Sequence, residues 1–181
     1  MDMTGSPPQG WPVSPSFALA RLRAGHHRFR VGAASTPFAP AGAPVAAVLS
    51  CADPQPEAVT VFGGADVFAV RAAGLSTGPS VRGSLEYAVG HLGTPLVVVL
   101  GHTACSLPHG SGPERVRAAL AALRRHSPLL DRAVRAGRCG LHGMVWHDAE
   151  LTLVEVRPSA PPPVRRVGRL RPPNRAGARL A

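Results

Sequence analysis

Three residues that commonly bind metal ions follow two apolar segments of the chain. Cys51 comes after the apolar run 45–49, and His102 and Cys105 come after the apolar run 96–100. Two cysteines and one histidine form a ligand set that zinc uses in proteins, and three protein ligands leave a fourth position for water. The His-x-x-Cys pair alone is a weak signal, but a Cys-x-Asp sequence at residues 51–53 strengthens it. These residues predict a zinc site.

The elements that must position these residues alternate between strand and helix. Short apolar runs of this kind are typical of buried strands in a parallel sheet, and they occur at 45–49, 67–70 and 96–100. Helical patterns occur at 17–30, with a break near Gly25, at 84–92, with Ser84 as the N-cap, and at 114–130, while Pro56 fits a first helical position. Two further strands are predicted within 140–156, with a turn near Asp148.

This order predicts an α/β fold, a single domain with a mostly parallel central sheet flanked by helices. In such sheets the loops at the carboxyl ends of the strands converge on one crevice. We therefore expect Cys51 to lie near His102 and Cys105, although about fifty residues separate them in sequence. Cys139 is predicted to be a small core residue.

Composition and charge together predict three parts of the chain. The net charge is +10, and all 20 basic residues are arginines. Seven of these arginines lie in the Pro/Arg-rich tail 157–181, which contains no acidic residue. We expect a loose arm at 1–16, a zinc domain at 17–156 and a disordered tail at 157–181 whose arginines could bind polyanions weakly and without specificity.

The compartment is predicted from the cysteines and from the apolar segments. No secretory leader pattern is visible at the N-terminus, and an odd number of three cysteines does not suggest a disulfide framework. The longest apolar run, 96–100, is much shorter than the roughly 20 residues that a membrane span requires. We expect a cytoplasmic protein with no membrane segment.

Four motifs occur in the order found in one enzyme family. They are CAD at 51–53, DVFAVRAAG at 66–74, SLEYAV at 84–89 and PLVVVLGHTAC at 95–105. Taken together they resemble the β-class carbonic anhydrases, and the resemblance covers about 25–156. It implies a zinc lyase that interconverts carbon dioxide and bicarbonate and forms a homodimer.

The resemblance also assigns roles to individual residues. It implies that Cys51, His102 and Cys105 bind zinc, that Asp53 is the catalytic residue and that Arg71 lies near the active site. The implied reaction is the attack of zinc-activated water on carbon dioxide. Two thiolates cancel the charge of the ion, so we expect activity to favour alkaline pH.

Four positions differ from the pattern of that family. An arginine that normally follows the Cys-x-Asp sequence and holds the aspartate away from zinc is replaced by Gln55. The other three differences are Gly42 for a glutamine, Ala72 for an asparagine and Ser106 for a glycine. A glutamine could give Asp53 only a neutral hydrogen bond, which contributes about 0.5–1.5 kcal/mol, whereas an arginine would give a charge-assisted one of about 1.5–3 kcal/mol. From the sequence, either water or Asp53 can therefore be the fourth zinc ligand.

Two hypotheses about function follow from these residues. The first is a carbonic anhydrase, or a relative that hydrolyses a similar small substrate such as carbonyl sulfide or carbon disulfide. The second is a catalytically weak or inactive zinc-binding protein on the same scaffold. The intact Asp53 favours the first hypothesis, whereas Gln55 and Gly42 favour the second.

Overall fold

The computed structural model describes five ranges of the chain: 13–33, 44–53, 55–107, 110–150 and 152–156. The predicted tail 157–181, most of the predicted arm and Gly42 lie outside these described residues. The predictions that concern them therefore remain predictions.

A five-stranded sheet forms the centre of the domain, in the order β2-β1-β3-β4-β5. The strands are β1 (Ala46–Ser50), β2 (Val67–Arg71), β3 (Leu96–His102), β4 (Gly140–His147) and β5 (Thr152–Val156). All neighbouring pairs are parallel except β4 and β5, which form an antiparallel pair. The predicted α/β fold with a mostly parallel sheet is confirmed, and so is the turn near Asp148 between the last two strands.

The sheet position of β2 differs from the sequence prediction. β1 and β3 are buried along their whole length, as their apolar runs predict. β2 was expected to be a second buried strand, but it is an edge strand of the described sheet and its side chains are only partly buried. The prediction was wrong because an apolar run of four residues does not reveal whether a strand has one neighbour or two.

Helices cover both faces of the sheet. They are α1 (Pro15–Arg30), α2 (Ala58–Val61), α3 (Pro79–Gly90), α4 (Gly112–His126) and α5 (Pro128–Arg135). Two apolar clusters result, one that contains buried residues of α3, α4 and α5 and one that contains buried residues of α1 and α2. Cys51 belongs to the first cluster, so the sheet and its helices fix this candidate ligand in the core.

Four helix predictions need correction. Pro56 is not at a first helical position, because α2 begins at Ala58 with Glu57 as its N-cap. The predicted break near Gly25 is absent, because α1 runs through it and the missing side chain lets the helix approach the carbonyl oxygen of Phe62. Ser84 is not an N-cap; α3 begins five residues earlier at Pro79, and the Ser84 hydroxyl donates to a carbonyl inside the helix. The single helical region 114–130 is divided by Pro128, which starts α5.

Glycines allow α4 to pack closely against the strand that carries His102. A Cβ at Gly101 would lie 2.7 Å from a methyl group of Val116, and one at Gly112 would lie 2.8 Å from the carbonyl oxygen of His102. Both distances are too short for a real side chain, so α4 rests directly on the end of β3. This packing restrains the backbone of His102.

In the part of the chain that the structure describes, none of the helices combines the length and the apolar character needed to cross a membrane.

Candidate metal centre

The candidate ligands lie at the carboxyl ends of two neighbouring strands. Cys51 directly follows β1, His102 is the last residue of β3, and Cys105 lies three residues further on. β1 and β3 are parallel partners in register, with Ser50 opposite Leu100. The sheet therefore brings two loops together at one edge, as the sequence predicts.

The ligand atoms of Cys51, His102 and Cys105 lie within 4.8 Å of one another. The two sulfur atoms are 4.0 Å apart. Two sulfurs bound to one tetrahedral zinc at about 2.3 Å each would be separated by roughly 3.8 Å, so the spacing fits a shared ion. Cys51 and His102 are almost fully buried, whereas Cys105 is partly exposed.

The side chain of His102 has the features of a metal ligand. It is 2% exposed, yet within the described ranges neither of its ring nitrogens has a hydrogen-bond partner. Buried polar atoms normally have a partner, and a metal ion would supply one. Burial also lowers the pKa of His102, which outweighs the opposing effect of the nearby Asp148 and Asp53 carboxylates. A lowered pKa favours the neutral imidazole, which is the form that binds metals.

Asp148 connects the β4–β5 turn to the loop between His102 and Cys105. Its Oδ2 accepts hydrogen bonds from the Thr103 hydroxyl and the Ala104 N–H, both at 3.1 Å. The same oxygen lies 4.0 Å from Nδ1 of His102, which is beyond hydrogen-bond distance. Asp148 therefore holds the loop between His102 and Cys105, and its carboxylate lies behind the His102 ring as an outer partner of that ligand.

We expect Asp148→Ala to weaken zinc binding by about tenfold to a hundredfold, the usual effect of losing an outer partner of a metal ligand. Competition with a chromophoric chelator measures this affinity. Glu150→Gln is a matched control, because Glu150 lies in the same turn and accepts a hydrogen bond only from Thr152 among the contacts described for it. Equal affinities for the two variants would contradict the role given to Asp148.

The Asp53 carboxylate lies beside the ligand cluster. Its Oδ2 is 3.7 Å from Nε2 of His102, and its side chain is 12% exposed. Ser106 binds it twice, since the backbone N–H donates to Oδ2 at 2.8 Å and the hydroxyl donates to Oδ1 at 2.5 Å. These hydrogen bonds, first that of the hydroxyl and then that of the N–H, lower the pKa of Asp53. The group is thus held as a carboxylate.

Arg71 and Gln55 bind the backbone of the Cys51 loop. The guanidinium of Arg71 donates to the carbonyl oxygen of Asp53 at 3.0 Å and to that of Cys51 at 3.4 Å, and it lies 3.6 Å from a carboxylate oxygen of Glu57. The Gln55 amide donates to the carbonyl oxygen of Cys51 at 3.1 Å. Both side chains hold the loop that presents Cys51.

The structure brings the predicted site residues together and adds two. Cys51, His102, Cys105 and Asp53 converge as expected, and Cys139 is a buried core residue outside the cluster. Ser106 appears in the sequence only as a departure from a pattern, and Asp148 only as a turn residue. The available signals were a hydroxyl directly after Cys105 and an acidic residue directly after β4.

These observations define an α/β domain with a candidate metal centre at the carboxyl edge of its sheet. Comparison with known proteins agrees with this description, because the family model described as carbonic anhydrase matches residues 46–111. Residues 46–111 are therefore similar to the carbonic anhydrase family, and the described domain has the fold of the β-class carbonic anhydrases.

Two curated relatives are similar in sequence. Carbonic anhydrase 2 of Mycobacterium tuberculosis is 37% identical over an alignment of 122 residues, and the match covers 61% of this chain and 55% of the relative. A carbonic anhydrase of Mycolicibacterium smegmatis is 38% identical over an alignment of 103 residues, and the match covers 51% of this chain and 50% of the relative. The chain thus spans about half the length of the curated relatives that it matches.

Solved structures support the fold. The carbonic anhydrase of Streptococcus mutans matches with a TM-score of 0.56 and 22% identity, over 75% of this chain and 94% of that one. The β-carbonic anhydrase CafA of Aspergillus fumigatus matches with a TM-score of 0.56 and 21% identity, over 66% and 78% of the two chains.

Proposed function

We propose that this protein is a zinc enzyme that interconverts carbon dioxide and bicarbonate. Cys51, His102 and Cys105 bind the ion in this proposal, and Asp53 is the catalytic carboxylate. The observation that carries it is the Asp53 oxygen 3.7 Å from Nε2 of His102, beside a cluster of three ligand atoms. A site with three protein ligands and a carboxylate beside them suits the activation of water.

Each part of the site has a task in this reaction. A zinc ion held by Cys51, His102 and Cys105 would supply a water of lowered pKa, which is the nucleophile for carbon dioxide. Asp53 would accept a hydrogen bond from the attacking water, since its two oxygens retain free lone pairs beyond the bonds to Ser106. Leu107 and Leu75, which pack in the same apolar cluster as the two ligand cysteines, limit the access of bulk water.

Stopped-flow measurement of carbon dioxide hydration tests this proposal. We expect zinc-loaded protein to accelerate hydration above the buffer rate, with activity rising from neutral to alkaline pH because two thiolates reduce the acidity of the bound water. Absence of acceleration at every pH, with one zinc per chain, would refute it. Hydrolysis of carbonyl sulfide, followed as released hydrogen sulfide, shows whether the site prefers that related substrate.

A non-catalytic zinc protein is the second candidate, and one observation favours it. Gln55 occupies the position of the family arginine, and its amide binds a backbone carbonyl rather than the Asp53 carboxylate. Without an arginine partner, the carboxylate is held by fewer charged groups, and a carboxylate that binds zinc closes the fourth position. Zinc at full occupancy with no hydration activity would identify this alternative.

The remaining parts of the proposal are the assembly and the compartment. We propose a homodimer in the cytoplasm. One of the similar structures is described as a tetrameric β-carbonic anhydrase from Sordaria macrospora, which supports self-association of this fold. The partly exposed edge strand β2 supports an interface on that side of the sheet. Light scattering coupled to size-exclusion chromatography measures the assembly, and a monomeric mass would contradict it.

A further inference from the structure

We propose that Ser106 replaces the missing family arginine and holds the Asp53 carboxylate away from the metal, so that the fourth position stays open. Ser106 is thus a positioning residue for Asp53. The inference rests on the proposed zinc site and names the residue that keeps that site competent.

The contacts of Asp53 carry this inference. One residue, Ser106, donates to both carboxylate oxygens, through its N–H at 2.8 Å and its hydroxyl at 2.5 Å. This two-point attachment fixes the plane of the carboxylate as well as its position, which is the geometric effect that a forked arginine has on a carboxylate. A glycine at position 106 would retain only the backbone bond.

The side chains nearest to the Cys51 loop do not perform this task. Gln55 stands at the arginine position, but its amide donates to the carbonyl oxygen of Cys51. The contacts described for the Arg71 guanidinium are to two backbone carbonyls and to Glu57. Both side chains therefore shape the loop, and within the described ranges Ser106 is the residue that donates to both oxygens of the carboxylate.

The distance to His102 shows why the attachment matters. With Oδ2 only 3.7 Å from Nε2 of His102, Asp53 lies close to any ion that the ring binds. A carboxylate is itself a zinc ligand, and a fourth protein ligand converts an open site into a closed structural one. Holding both oxygens on Ser106 opposes that conversion.

Azide binding to the cobalt-loaded full-length protein tests this inference without relying on activity. Cobalt(II) replaces zinc, and its visible spectrum changes when azide enters an open fourth position. We expect Ser106→Ala to weaken azide binding by about tenfold to a hundredfold, the effect of losing one hydrogen bond to a charged group. Ser106→Thr keeps the hydroxyl and should bind azide like the unmodified protein.

Two further variants sharpen the test. Ser84→Ala is the control, since the Ser84 hydroxyl donates to the Ser80 carbonyl within α3. The double variant Gln55→Arg, Ser106→Ala should recover azide binding, because it restores the arginine at the family position. Recovery would also show that Ser106→Ala had not simply damaged the fold.

The outcomes separate this inference from the proposed function. Unchanged azide affinity in Ser106→Ala, or no azide response in the unmodified cobalt protein, would overturn the role of Ser106 while the metal site stands. Failure to bind cobalt with thiolate charge-transfer bands would instead refute the metal site, and the inference with it.

Discussion

Replacing Cys51 with alanine is expected to abolish stable metal binding, whereas replacing Cys139 with alanine leaves it intact. Structural zinc sites with four ligands have apparent binding free energies of about 10–16 kcal/mol, or roughly 3 kcal/mol for each ligand. Losing one ligand of three should therefore weaken binding by more than about a hundredfold. Carbon dioxide hydration should disappear with the ion.

Metal content measured by mass spectrometry, after dialysis against a chelator at fixed concentration, distinguishes the two variants. Cys139 is a close control because it is as buried as Cys51, and its thiol donates to the Gly140 carbonyl at 3.2 Å. Burial raises the pKa of Cys139 to about 11, so it remains a neutral thiol at physiological pH. Equal metal content in the two variants would mean that the ion is held elsewhere.

The fold was predictable where local signals and packing agree. The apolar runs of β1 and β3 gave the buried strands, and the turn near Asp148 gave the final hairpin. The start of α3 was missed, although Pro79 at a first helical position was a readable signal. Gly25 misled the prediction because its low helix propensity is overridden by a tertiary contact, the close approach of α1 to the Phe62 carbonyl.

The candidate site was predictable to the level of its ligands. Two loops at the ends of parallel strands must converge, and that rule alone unites Cys51 with His102. The partners of Asp53 were not predictable, because the bond to Ser106 joins residues 53 positions apart and depends on the path of both loops. In the sequence, Ser106 is only a departure from the glycine of the family pattern, but in three dimensions its hydroxyl donates to the Asp53 carboxylate. Asp148 likewise acquires a role only when the hairpin folds back onto Thr103.

We expect Asp53→Asn to lower kcat/KM for carbon dioxide hydration by about a hundredfold to ten-thousandfold, the usual range for losing a proton-transfer residue. The asparagine amide has nearly the size of the carboxylate, but only its oxygen accepts hydrogen bonds, because its nitrogen is a donor. Metal content should stay at the level of the unmodified protein, because Asp53 is not among the three clustered ligands of the described structure. Stopped-flow kinetics on zinc-loaded protein, with metal analysis of the same sample, provides both values.

Glu57→Gln is the matched control for this variant. Glu57 follows the same loop, but its carboxylate is 68% exposed and pairs at 3.6 Å with Arg71 instead of lying beside the ligands. Neutralising it removes one negative charge near the site, so an unchanged rate would show that loop charge alone does not govern activity. Full activity in Asp53→Asn would remove the catalytic role of this carboxylate. A simultaneous loss of metal would instead make Asp53 a fourth ligand, which is the arrangement of a closed, non-catalytic centre.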